Sequence, residues 1–413
     1  APGSIKEGIT DTNTMLKGTP HVSGKAVTLT AGEAQGSIGQ KKDGMTIDLS
    51  DMTRLTREQR LALSAAERGD FTVVNENTVK VSSIRAIDAE AKGKLQATAD
   101  KGAIYLVTEG SIAGDSTFKA GDEIRLKAAG NVAGVTLTSD KQIILESGEG
   151  AIQEAKLAGK GVLTARAKDG VSLKKSDDDL VINTVYASDG NVVLDLKGHS
   201  LLAEDGHDTD EEMGTTYTNV EGANISIENV ANVKGEGEGQ SLGMKVTGTK
   251  AEDGSMVPGS IRFHATGDAD ITLFGDATSD ATSIEAGNTA ITNRGKLSDG
   301  SYQAKEALHV YNAKGGTITG GNFKGAETTL TNEADLSGAK VEGTTKLTVK
   351  NTASIQNATL TGGAATVDNN GENSVMKDVT LTGSAITLTN KGTVENGTYT
   401  AGGAQCDIFH DTV

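Results

Sequence analysis

Six asparagines in the C-terminal third of the chain recur at nearly constant intervals, each closing a short alternation of apolar and polar residues. They are Asn293, Asn312, Asn332, Asn351, Asn370 and Asn390, and the successive intervals are 19, 20, 19, 19 and 20 residues. Each unit reads apolar-x-apolar-x-Asn. An apolar residue follows about four positions on, then another about five further, then Gly. Leu336 and Val341, Ile355 and Leu360, and Val394 and Tyr399 carry that spacing. Alternation with period two marks strands with one buried face. The Gly, Asn and Asp between the runs tolerate sharply turned backbone. The same interval appears upstream without the Asn: apolar stretches open at Ile104, Ile124, Ile143, Val162 and Val181, at intervals of 20, 19, 19 and 19.

A repeat of this length built from short strands has few physical solutions. Leucine-rich repeats need Leu at fixed offsets around their Asn, and propeller blades need about 40 residues each. A right-handed parallel β-helix, an all-β solenoid with 19–20 residues per coil, fits instead. Successive coils then stack at about 4.8 Å, the ordinary inter-strand spacing. Apolar residues fill the centre, and the Asn amides form a ladder, each bonding the one above and below. The expected organisation is a single rod over 1–413, with Asn-ladder coils over 288–403.

Three segments break the pattern. Residues 52–70 read as a helical insertion, with Thr56 and Gln59 as a capping box and Gly69 at the C-terminal position, and the helix itself over roughly 57–68. Residues 203–219 read as an acidic protruding loop, and residues 248–260 as a surface hairpin or loop.

Composition agrees with a narrow aliphatic core. Gly is 53 of 413 residues, Pro 3, Trp absent and aromatics 3%. Pro would remove ladder hydrogen bonds, so its scarcity suits a chain made of strands. The formal net charge of −17 argues against nucleic acid, whose phosphates call for a basic surface. Cys406 is the only cysteine, so no internal disulfide can form. No run of 18 apolar residues exists, so no transmembrane helix is expected. No leader precedes Ala1-Pro2-Gly3; the expectation is a processed chain or an internal stretch of a longer one.

The segment STFKAGDEIRLKAAGNVAGVTLTSDKQIILESGEGAI, with its Gly-, Leu- and Ala-punctuated coils, resembles the exoproteins of the filamentous haemagglutinin kind that are exported by two-partner secretion. The phrase GSIGQKKDGMTIDLS is similar to one that recurs in the same large adhesins, and together with the Thr-Arg-Glu-Gln helix it resembles the leukotoxin-type filamentous adhesins. The resemblance covers most of 24–403. It implies a β-helix shaft of a secreted or cell-surface virulence adhesin, with an outer-membrane secretion partner. Its receptor or glycan would lie on a host cell, another bacterium or matrix. The family's Asn-Pro-Asn-Gly secretion signature does not occur, so the resemblance implies an internal shaft stretch.

Chemistry-bearing candidates are sparse. Arg68, Gly69 and Asp70 spell an adhesion tripeptide, weighed against a plain helix terminus with solvated charges. Asp205, Asp208, Asp210 and Glu212, with Glu204, Glu211 and His207, could hold calcium. They lack the spacing of known calcium loops, so a solvated acidic loop is favoured and no cofactor is required. The six histidines, His21, His199, His207, His264, His309 and His410, show no metal-ligand spacing. Cys406 and His410 are expected in a frayed terminus. Sequons at Asn224, Asn357 and Asn396 would admit glycosylation of a secreted chain, weighed against the chance occurrence of such tripeptides in a chain rich in Asn and Thr. No catalytic residues stand out, and the reading is not an enzyme. Two alternatives remain: a β-helix polysaccharide lyase or hydrolase using Arg262, His264, Asp268 and Asp270, and a self-associating matrix or filament protein joined through exposed strand edges.

Overall fold

The chain is described from a computed structural model. It describes the backbone of residues 22–23, 26–30, 45–48, 70–75, 79–85, 95–99, 102–108, 111–112, 116–204, 209–210, 215–216, 218–275, 278–402 and 406–410, with side-chain environments for those between 96 and 402 other than 107–108, 209–210 and 215–216. The expected helix at 57–68 lies outside these residues. Among the described residues there is no helix; the fold is all-β, a parallel β-solenoid with about 14 turns spaced ~20 residues apart. The chain divides into two compact units, Ala1–Lys197 and Gly198–Val413.

In the first unit the alternating residues stack coil upon coil. Ile104, Ile124, Ile143, Leu163 and Ile182 form one register column, and Leu106, Leu126, Leu145, Ala165 and Val185 the next. All ten are buried, because alternate residues of a strand face one side and that side is the solenoid interior. The inward residues of the last two coils are Leu163 and Ile182, one past the Val162 and Val181 that open their apolar stretches. A second face stacks Ala97, Phe118, Leu137 and Leu157. The next position in that column is Lys175, which is only 2% exposed. Its ammonium donates to Gly159 O at 2.7 Å and pairs with the Asp177 carboxylate.

In the second unit a coil has three strands, for example Thr289–Asn293, Lys296–Ser298 and Ser301–Ala304. The first strands stack Ile271, Ile291, Val310, Leu330, Val349, Val367 and Leu388 into the core. The second strands stack Leu297, Ile318, Leu336, Ile355, Met376 and Val394. The third stack Tyr302, Phe323, Val341, Leu360, Leu381 and Tyr399. Tyr302 and Phe323 lie ring on ring, 4.7 Å apart and 9° from parallel. Thr278 Oγ1 and the Tyr302 hydroxyl share a 3.3 Å hydrogen bond. Burial of that hydroxyl pushes its pKa up.

The Asn ladder is present, with one correction. Nδ2 of each ladder residue donates to Oδ1 of the next: Asn293 to Asn312 at 2.9 Å, Asn312 to Asn332 at 2.8 Å, and Asn332 to Asn351 at 2.8 Å. The series continues from Asn351 to Asn369 and from Asn369 to Asn390, both at 2.7 Å. Asn369, not Asn370, is the fifth member. Strand Thr359–Asn369 alternates, so Val367 and Asn369 face inward together and Asn370 steps outward into solvent. The true intervals are 19, 20, 19, 18 and 21 residues.

The corners obey backbone sterics. Asp299, Gly338, Asn357, Asp378 and Asn396 all turn with φ between 47° and 69°, where Gly, Asn and Asp are the tolerated residues. Asn357 and Asn396 are thus accounted for as corner residues. A further corner needs no break at all. Strands such as Lys340–Asn351 run through two sides of a coil and bend at Gly325, Gly343, Gly362 and Gly383, which stack in register. A Cβ on Gly343 would lie 1.9 Å from Lys346 O, so that position admits only glycine.

Candidate functional site

Outward-facing side chains and corners are where a solenoid can carry chemistry, since its centre is filled. In the second unit one corner is a polar relay. Asn232 Nδ2 donates to Ser200 Oγ at 3.1 Å, and Asp268 N donates to Asn232 Oδ1 at 2.8 Å. Asn288 N and Nδ2 both donate to Asp268 Oδ1 at 3.0 Å, and Ala307 N donates to Asn288 Oδ1 at 3.2 Å. Each side chain thereby holds the backbone of the next coil, a structural duty.

That duty bears on the lyase candidates. Asp268 is committed to the relay. Arg262 and His264 sit on strand Ile261–Ala265; Arg262 Nε donates to Ala281 O at 3.0 Å, and His264 Nδ1 lies 3.1 Å from Glu285 Oε2. Asp270 lies on a different strand, Ala269–Gly275. Half-burial pushes its carboxyl pKa up, with Lys234 acting the other way. Among the described residues no hydrogen bond or ion pair joins any two of these four side chains. Asp268 and Asp270 stand two residues apart, the one bound into the relay and the other half-buried.

Of the adhesion tripeptide, Arg68 and Gly69 lie outside the described residues. Asp70 opens strand Asp70–Asn75, paired in parallel with Ala26–Thr30. Asp205, Asp208 and Glu212 also lie outside them. Asp210 is described by its backbone alone, in a short antiparallel pairing of Thr209–Asp210 with Thr215–Thr216. Residues 248–260 contain a second such hairpin, Thr249–Lys250 with Met256–Val257. Among the described residues no group of three or more His, Cys, Asp or Glu is placed to hold a metal ion. His264 and His309 are exposed and His199 half-buried. Cys406 and His410 do not fray: they lie on strand Cys406–His410, in register with Ile386 and Asn390.

Sequence reasoning missed a shallow groove of about 450 Å³ on the first unit. Its centre is an outward register column of Lys127, Glu146, Arg166 and Tyr186, one residue from each of four successive coils. Lys127 Nζ lies 3.3 Å from Glu146, and Lys168 Nζ 2.8 Å from Glu149. The latter pair lowers the Glu149 pKa and raises that of Lys168, chiefly through their shared hydrogen bond. The signal lay in the sequence: the four residues sit 19 or 20 apart at outward positions of the repeat.

No protein-family model, curated protein or solved structure matches the chain. The class defined by the fold is therefore the parallel β-solenoid. Among the described residues no helix is long and apolar enough to cross a membrane.

Proposed function

We propose that the chain is a shaft segment of a large secreted or surface-anchored bacterial adhesin, of the filamentous haemagglutinin kind. The observation that carries this reading is the regularity of the second unit, where five consecutive Asn–Asn bonds run alongside continuous parallel ladders. Such stacking makes a stiff, protease-resistant spacer, because every coil is bonded to both neighbours. Polar side chains spent on coil-to-coil bonds, as in the Asn232–Asp268–Asn288 relay, suit a mechanical element. In this reading an outer-membrane partner exports the chain, and attachment to a receptor or glycan on a cell or matrix is its task.

Beads coated with the purified chain, passed over glycan- and cell-coated surfaces under flow, test the adhesive role. Attachment above that of albumin-coated beads is expected. Attachment no better than albumin on every surface would overturn it.

A further inference from the structure

We propose that the groove over Lys127, Glu146, Arg166 and Tyr186 binds a carboxylate-bearing saccharide, a hexuronate chain, with Arg166 as the anion receptor and Tyr186 as the stacking platform. The proposal rests on the adhesive reading above and names its ligand class.

Charge accounting singles out one cation. Lys127 is matched by Glu146 and Lys168 by Glu149. Arg166 is exposed and has no hydrogen bond or ion pair among the described residues. It is an unmatched guanidinium on a chain of net charge −17, so the groove is a local exception to a field that otherwise repels anions. A guanidinium presents a planar fork that fits a carboxylate through two parallel hydrogen bonds.

Register places the second component. Arg166 pairs directly with Tyr186 on the next coil, so the two side chains leave the sheet about 4.8 Å apart. The tyrosine is half-buried and lines the groove, so part of its side chain is open to a ligand. A ring face beside a guanidinium matches a uronate, whose apolar C–H face and carboxylate lie on one sugar. Gly148 and Ala167 line the same groove with little side-chain bulk, which lets an extended ligand lie across the coils.

An acidic peptide fits less well. Peptide recognition on sheets draws on free main-chain groups at an edge. Here strands Glu123–Ala128, Gln142–Ser147 and Val162–Ala167 are stacked in continuous parallel pairing, so the sheet offers no edge beneath the groove.

The test is calorimetric titration of the whole chain with oligogalacturonate of four to six sugars, with its methyl ester, and with an oligoglutamate. Binding of the acid and not the ester is expected. Arg166→Ala should weaken it roughly ten- to hundredfold, the loss of a charge-assisted pair. Tyr186→Ala should weaken it similarly, and both variants should keep the parent melting temperature. Equal binding of acid and ester, binding of oligoglutamate instead, or an Arg166→Ala variant with parent affinity would overturn the proposal. The bead assay separates the two readings. Attachment through neutral glycans without uronate binding would sink the groove and leave the adhesin. Uronate binding without attachment to any surface would do the reverse.

Discussion

At the scale of single residues, the Asn ladder shows how one step of register decides energetics. Truncating Asn351 strips the buried Asn369 Oδ1 of its donor, while Asn332 Nδ2 keeps the carbonyls of Ala334 and Ser354. Asn351→Ala should cost about 1–3 kcal/mol, the usual penalty for an orphaned buried polar group, read as a lowered denaturant midpoint. Asn369→Ala should behave alike. Asn370→Ala, at an exposed position, should stay within about 0.5 kcal/mol of the parent, as surface changes do. Spacing alone could not choose between Asn369 and Asn370, because they are adjacent and an 18-residue coil is followed by one of 21. The alternation ending at Val367 does choose, since only Asn369 shares its face.

Lys175 was illegible for a different reason. A lysine at an inward position reads as an error in the pattern until its partners are seen. The ammonium is sheltered below Leu157 and held by Gly159 O and Asp177. Partial burial pushes the Asp177 pKa up, but Lys175 and the Gly159 and Asp177 amides outweigh it, so the net shift is downward. A carboxyl whose folded pKa is depressed adds stability above its unfolded value, and that stability is lost as pH falls through the folded one. The contribution should therefore be complete above about pH 4, near the unfolded aspartate value, and fade below it. Asp177→Asn should flatten that acid limb in thermal melts while lowering stability at neutral pH, because it strips a buried ammonium of its counter-charge. An unchanged acid limb in Asp177→Asn would contradict the assignment.

At the scale of elements, the strands and their alternation were legible because each coil repeats the same inward pattern. The Gly bends were visible only as letters. Gly325, Gly343, Gly362 and Gly383 stack where a strand turns from one side of the coil to the next, and only the backbone path explains them. Gly343→Ala should destabilise by roughly 1–3 kcal/mol, the scale of overpacking, with urea unfolding as the readout. Val349→Asp buries an unpaired charge in the middle of a core column. Amide exchange should rise in the neighbouring strands Asn322–Asn332 and Thr359–Asn369 while Ala269–Gly275, several coils away, keeps its protection, because coils couple to nearest neighbours. Uniform loss of protection across the second unit would contradict nearest-neighbour coupling. The Ser200–Asn232–Asp268–Asn288 relay escaped notice because intervals of 32 and 36 residues hide its period. The segments at 203–219 and 248–260 fall inside those two intervals.

At the scale of the whole molecule, composition already pointed to its character: aliphatic, poor in Pro and aromatics, and strongly acidic. What composition could not show is where polar groups converge. Most of the conspicuous ones, the ladder amides and the corner carboxylate of Asp268, are consumed in holding coils together. The shaft proposal gives the chain a mechanical and binding role, and turnover is what would separate it from a β-helix enzyme. The most direct measurement is a time course with a panel of acidic and neutral polysaccharides, with and without calcium, following new reducing ends and unsaturated products. The account predicts no product above the protein-free control on any polymer. Product that accumulates with time and scales with protein concentration would contradict it, and would direct attention to the half-buried Asp270.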